Sequence, residues 1–152
     1  MNHLHPQDIC VQILPISQII PAPNNARKHS RKQIKMLAEA IQKFGFNNPV
    51  LIDGSNTIIA GHARKEAAEH LKFESIPTIR LLHLSPEETK AYRIADNRLA
   101  ELSDWDEDML RIELQELSLL GDFDVTLTGF ETPELDHFFV RPVTDTEDVI
   151  PD

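Results

Sequence analysis

Apolar and polar positions change period repeatedly along the chain, and each change marks an element. Val11–Ile20 (VQILPISQII) is apolar and β-branched and reads as an entry strand, broken where Pro15 lacks an N–H. Pro21–Asn25 then forces an extended, turning connection. Ile34, Leu37, Ala38, Ile41 and Phe44 recur at helical spacing, with Ser30 and Gln33 forming a capping box at the start and Gly45 a stop. Pro49–Ile52 and Thr57–Ala60 read as two short strands joined around Asp53 and Gly54. Gly61 ends the second, His62–Leu71 is helical in composition, and Ile76–Leu84 is again strand-like.

Ser85, Pro86 and Glu88 supply a cap, a first-turn proline and a third-position glutamate, so a helix runs from there to about Ala100. Ser103 or Asp104 is expected to cap another helix, with Met109, Leu110, Leu114 and Leu117 facing inward and Gly121 closing it. Thr132, Pro133 and Glu134 open a last short helix. There is no internal repeat. A short sheet with four or five helices makes the expected fold class α+β.

A length of 152 residues suits one compact domain with a tail. No apolar run approaches the ~20 residues of a membrane helix, Met1–Gln7 carries no secretory pattern, and the single Cys10 forms no internal disulfide. A cytoplasmic protein with no membrane partner is expected. Charge changes the picture more. Residues 1–100 carry a balance of +4 and residues 101–152 one of −14, together the −10 of the whole chain. The stretch Asn24–Lys43 alone carries +5, an excess suited to phosphates or to an ordinary solvated helix face. The acidic second half argues against a broad DNA-wrapping surface, and no basic helix-turn-helix domain is expected there.

Three segments carry candidate chemistry. In Thr57–Ala68 a buried strand meets Gly61 and turns directly into a helix with Arg64 and Lys65 in its first turn. Free backbone N–H groups and the helix dipole favour an anion there, Gly61 allows close approach, and Arg64 can take two phosphate oxygens. The same pattern also describes a plain strand–helix turn. In Arg93–Glu101, Asn97 shares a helix face with both Arg93 and Glu101. There Asp96 can hold a divalent metal, Asn97 a phosphate or metal-bound water, and Arg98 can neutralise charge; an exposed salt-bridged surface is the alternative. The third segment is the polar loop Asn25–Ser30 with Arg27.

An Asn-x-Arg loop, a Ser-capped helix ending in Phe-Gly, a hairpin, Ile-Ile-Ala-Gly-His-x-Arg, an Ile-Pro strand and Ala-Asp-Asn-Arg follow one another in this order. In this the sequence resembles the ParB/sulfiredoxin superfamily, in its ParB N-terminal-domain-like (ParB-like nuclease) branch. It is most similar to the phage and mobile-element members fused to DNA methyltransferases. The resemblance implies a small mixed sheet packed with helices over residues 1–102, a helical extension packed on it over 103–140, and an acidic tail or linker over 141–152.

The family's phosphate motif matches Gly61, His62, Ala63 and Arg64; its acidic-Asn motif matches Asp96 and Asn97; its first-box arginine matches Arg27. The arginine closing the second motif falls on Ala100, with Arg98 as a substitute. The resemblance therefore implies a nucleoside triphosphate (CTP or ATP) with Mg²⁺. Arg27, Gly61, His62, Ala63, Arg64, Asn97 and Arg98 would be nucleotide-binding, Asp96 and Asn97 metal-binding, and Asp96 or His62 catalytic in an enzyme of this fold. Partners implied are a nucleotide, DNA, a DNA methyltransferase or other modification or phage protein, and a second copy of the chain. Sulfiredoxin chemistry is not expected, because His62 stands where that chemistry needs a thiol. The resemblance leaves three functions open: a nucleotide-binding, DNA-associated regulatory module; a metal-dependent nuclease, NTPase or ATP-using kinase; and a non-catalytic adaptor of a methyltransferase.

Overall fold

The computed structural model describes residues 5–25 and 27–140; the tail expected at 141–152 lies outside the described residues. Two compact units appear, Met1–Asp104 and Trp105–Asp152. The first holds a four-stranded sheet of β1 (Val11–Pro15), β2 (Val50–Ile52), β3 (Ile58–Ala60) and β4 (Ser75–Arg80), in the order β1-β4-β2-β3. β4 is antiparallel to β1 and parallel to β2, and β2 is antiparallel to β3. The helices of this unit are α1 (Arg31–Phe44), α2 (His62–His70) and α3 (Pro86–Glu101).

The expected starts of α1 and α3 are met in full. Ser30 accepts the Gln33 N–H while Gln33 returns to the Ser30 N–H, and Ser85 and Glu88 make the same reciprocal pair. Ile16, Ile19, Val50, Ile52, Ile58 and Ile76 close over Ala68 of α2 to form the main core. Ala38 and Ile41 of α1 meet Ala67 in a second cluster. These alanines let α2 lie close to both α1 and the sheet, so the N-terminus of α2 is held rigidly at the end of β3.

One strand expectation is corrected. The strand expected over Ile76–Leu84 ends at Arg80, because its parallel partner β2 ends at Ile52; the Leu81 N–H makes the last bond to the Ile52 carbonyl at 2.8 Å. The hairpin turns at Gly54 and Ser55, as expected around Asp53 and Gly54, and the Asn56 N–H closes it on the Asp53 carbonyl at 3.2 Å. Asp53 Oδ1 accepts the N–H groups of Ser55 and Thr57, and Asn56 takes the left-handed conformation at φ 65°.

The second unit contains α4 (Glu107–Leu119) and α5 (Thr132–Phe139). Leu110, Leu114 and Leu135 form its core, and Trp105 lies 5.6 Å from Phe130, ring centre to ring centre. Arg111, the sole Lys or Arg between Trp105 and Val140, donates to the Phe138 carbonyl at 2.9 Å and ties α4 to α5. The expected cap at Ser103 or Asp104 is corrected to Asp106, whose Oδ1 accepts the Met109 N–H at 3.1 Å. That start puts Leu110 and Leu114 on the inner stripe and leaves Met109 53% exposed, against the expectation that it faces inward.

Candidate functional site

β3 delivers the chain to Gly61, which caps α2 at φ +111°. A Cβ at that position would stand 3.0 Å from Arg64 Nη2 and 3.2 Å from Val50 Cγ2, so both backbone and space require glycine. No side chain among the described residues caps α2, leaving its first-turn N–H groups to a ligand or solvent. One turn in, Arg64 donates from Nη2 to the Pro49 carbonyl at 3.0 Å, while its Nε is buried with no hydrogen-bond partner among the described residues. Burial pulls the guanidinium below its ordinary pKa, and the Asp96 carboxylate opposes that pull.

α3 forms the opposite wall. Arg93 Nη2 donates to the Ile58 carbonyl at 3.0 Å, which pins α3 to β3, and Asn97 Nδ2 donates to the Arg93 carbonyl at 2.9 Å. A third wall is the loop before α1, where Asn25 brackets both the N–H and the carbonyl of Arg27. The Arg27 side chain pairs with Glu101 near the end of α3, and Arg98 Nη1 reaches the same carboxylate at 3.3 Å. These two arginines hold the Glu101 carboxyl below its usual range.

His62 opens α2, and its Nε2 accepts the Ala22 N–H at 3.0 Å. Burial, together with Arg93, His29 and Lys65 nearby, lowers its pKa from 6.5 to about 4. The imidazole is thus neutral around pH 7, with Nε2 engaged as an acceptor and its proton on Nδ1.

Arg27, Gly61, His62, Ala63, Arg64, Asp96 and Asn97 line a single cavity of about 200 Å³. The three segments singled out in the sequence meet there although up to 72 residues separate Asn25 from Asn97 along the chain. Arg98 is set apart: it borders a larger neighbouring cavity of about 730 Å³. The two cavities share the walls formed by Asn25, Arg27, Arg93 and Asn97. Sequence reasoning left Arg93 and Glu101 unassigned; the four-residue spacings Arg93–Asn97 and Asn97–Glu101 were the available signal.

The donor set suits a magnesium–polyphosphate complex. The orphaned Arg64 Nε asks for an anion, and Asp96 with the Asn97 carbonyl oxygen supplies hard oxygen ligands. No group of three His, Cys, Asp or Glu side chains converges among the described residues. A bound Mg²⁺ would thus complete its coordination with phosphate oxygens and water.

Comparison with known proteins agrees with this architecture. The model of the ParB N-terminal domain matches residues 2–98, and the chain belongs to that family. The ParB-like nuclease domain-containing protein YnaK of Escherichia coli K12 is 49% identical over 74 residues, 49% of this chain and 85% of YnaK. A probable chromosome-partitioning protein ParB of Rickettsia bellii is 36% identical over 88 residues, 57% of this chain but only 30% of that protein. Among solved structures, the C-terminally truncated chromosome-partitioning protein ParB of Caulobacter crescentus, complexed with CTP-gamma-S, superposes with a TM-score of 0.69. That match has 18% identity and covers 85% of this chain and 76% of that one, a likeness of fold.

A second model, the ParB-methyltransferase HTH domain, matches residues 108–152. This corrects the helix-turn-helix half of the expectation that no basic helix-turn-helix domain follows, while the acidic charge of the segment stands. The acidic balance of that half had argued against it, but charge does not dictate fold. No helix among the described residues is long and apolar enough to cross a membrane.

Proposed function

We propose that the chain is a nucleoside-triphosphate-binding, DNA-associated regulatory module of a phage, plasmid or DNA-modification system. The observation that carries this reading is Arg64: a partly buried cation, fixed by the Pro49 carbonyl beside a helix start that no described side chain caps, with an Nε that no group among the described residues satisfies. A buried unpaired N–H costs about 1–3 kcal/mol, and a phosphate oxygen would remove that cost. In this reading Gly61, His62 and Ala63 bring the backbone close to the phosphates, Arg27 and Asn97 close the site, and Asp96 with Asn97 holds Mg²⁺. When bound there, Mg²⁺ would offset the negative charge of the phosphates. Support for a nucleotide comes from the CTP-gamma-S carried by the Caulobacter protein of the same fold. Support for a DNA context comes from the family matched at residues 108–152.

His62 serves here as the tie that holds the Ala22 loop against α2, with its basic nitrogen engaged rather than free for proton transfer. The methyltransferase-linked family match also favours a second reading, an adaptor that docks on a DNA methyltransferase without using a nucleotide. Displacement of fluorescently labelled nucleotide by CTP, ATP and GTP, with wild type and Arg64→Ala side by side, separates the two. The module reading expects saturable displacement that Arg64→Ala abolishes. Absence of any saturable binding to wild type would overturn it in favour of the adaptor.

A further inference from the structure

Arg93 is the one arginine on the cavity wall to which no motif gives a role. We propose that Arg93 is the second phosphate-binding arginine of the site, acting with Arg64 as a two-guanidinium clamp on neighbouring phosphoryl groups of a di- or triphosphate. The inference deepens, and rests on, the triphosphate reading above.

Arg64 and Arg93 are held in the same way from opposite walls. Each donates one Nη2 to a main-chain carbonyl at 3.0 Å, Pro49 just before β2 for Arg64 and Ile58 at the start of β3 for Arg93. β2 and β3 are paired, so the two anchors belong to one rigid hairpin. Each guanidinium is thereby oriented before any ligand arrives, which lowers the entropy lost on binding.

Each also has a buried Nε without a hydrogen-bond partner among the described residues. Only three such buried side-chain atoms occur among the described residues, and the third, on His83, belongs to neither cavity. Two arginines that line one 200 Å³ cavity, each with a buried Nε–H left unsatisfied by protein among the described residues, point to a single anion with several acceptor oxygens. The other arginines nearby, Arg27 and Arg98, pair with Glu101, whereas no described carboxylate pairs with Arg64 or Arg93. Arg93 further borders both cavities and Arg64 only the smaller, so Arg93 stands where a ligand would pass from one to the other.

The test is calorimetric binding of CTP, ATP and GTP with Mg²⁺, and of inorganic tripolyphosphate as a base-free probe, to wild type, Arg64→Ala, Arg93→Ala and Arg93→Lys. Thermal melting of each variant is followed alongside. Arg93→Lys keeps the charge and most of the length of the side chain but lacks the Nε–H and the planar fork. The clamp predicts a loss of about tenfold or more in affinity for both Arg93 variants, with Arg93→Lys still melting like wild type. Arg93→Lys binding as tightly as wild type, while Arg64→Ala has lost affinity, would overturn the clamp and leave the triphosphate reading standing. If wild type binds none of the four probes, both fall together. Should Arg93→Ala fail to fold, Arg93→Lys alone decides.

Discussion

The imidazole of His62 accepts the backbone N–H of Ala22 at 3.0 Å, which joins the first turn of α2 to the loop that leads to Arg27. This contact brings two of the three candidate segments together, and it works only while the ring is neutral. The folded-state pKa is lowered from 6.5 to about 4, so the unfolded chain binds the proton more readily than the folded one. The contribution to stability is complete above pH 6.5 and is lost as pH falls toward 4. Titration followed by nitrogen-15 NMR should show an Nδ1–H tautomer and an inflection near 4. An inflection at 6.5 would contradict the buried tie. Asparagine or glutamine at this position should preserve folding better than alanine.

Gly61→Ala places a Cβ against Arg64 Nη2 and Val50 Cγ2 at a backbone angle that side chains rarely adopt. The expected cost is about 1–3 kcal/mol in denaturant unfolding. Nucleotide affinity should fall further than the melting temperature suggests, because the strain is relieved by moving Arg64. A variant with wild-type stability and affinity would show that neither the turn nor the approach is tight.

Glu101 occupies the guanidinium of Arg27 that a phosphate would otherwise take. The pair is exposed and screened, so Glu101→Gln should leave the melting temperature nearly unchanged. Because Arg27 is then released, nucleotide should bind more tightly to this variant than to wild type. Weaker binding would place Glu101 among the groups that assist the ligand or its metal.

The second unit rests on few core residues. Leu114→Ala removes the side chain that packs with Leu110 and Leu135, at a cost of about 2–5 kcal/mol to that unit. Trp105 is the sole tryptophan and lies against Phe130, so its fluorescence reports this unit directly. The fluorescence transition should move to lower denaturant in the variant. An unmoved transition would mean that the Leu110–Leu114–Leu135 cluster does not hold the unit together.

Elements governed by local chemistry were legible in the sequence. The capping boxes at Ser30 and Ser85, the stop at Gly45 and the turn from β3 through Gly61 into α2 each depend on residues within a few positions of one another. The same locality let Gly61, Arg64, Asp96 and Asn97 be singled out. What the sequence did not disclose depends on distant pairs: Ala22 with His62, Arg27 with Glu101 and Arg93 with Ile58 are set by the fold and have no local signature. The same cause removed Arg98 from the inner site, since its position on α3 turns it toward the larger cavity and Glu101. In the second unit, two acidic residues competed with Ser103 to cap α4, and packing of Leu110 and Leu114 selected Asp106.

If Arg64 stands in a polyphosphate site, isothermal titration of the full chain with CTP, ATP and GTP, each with and without Mg²⁺, will read it out. At least one of them should bind saturably, more tightly with Mg²⁺, and the binding should disappear in Arg64→Ala. Equal heats for wild type and Arg64→Ala, or no binding to wild type under any of these conditions, would contradict it.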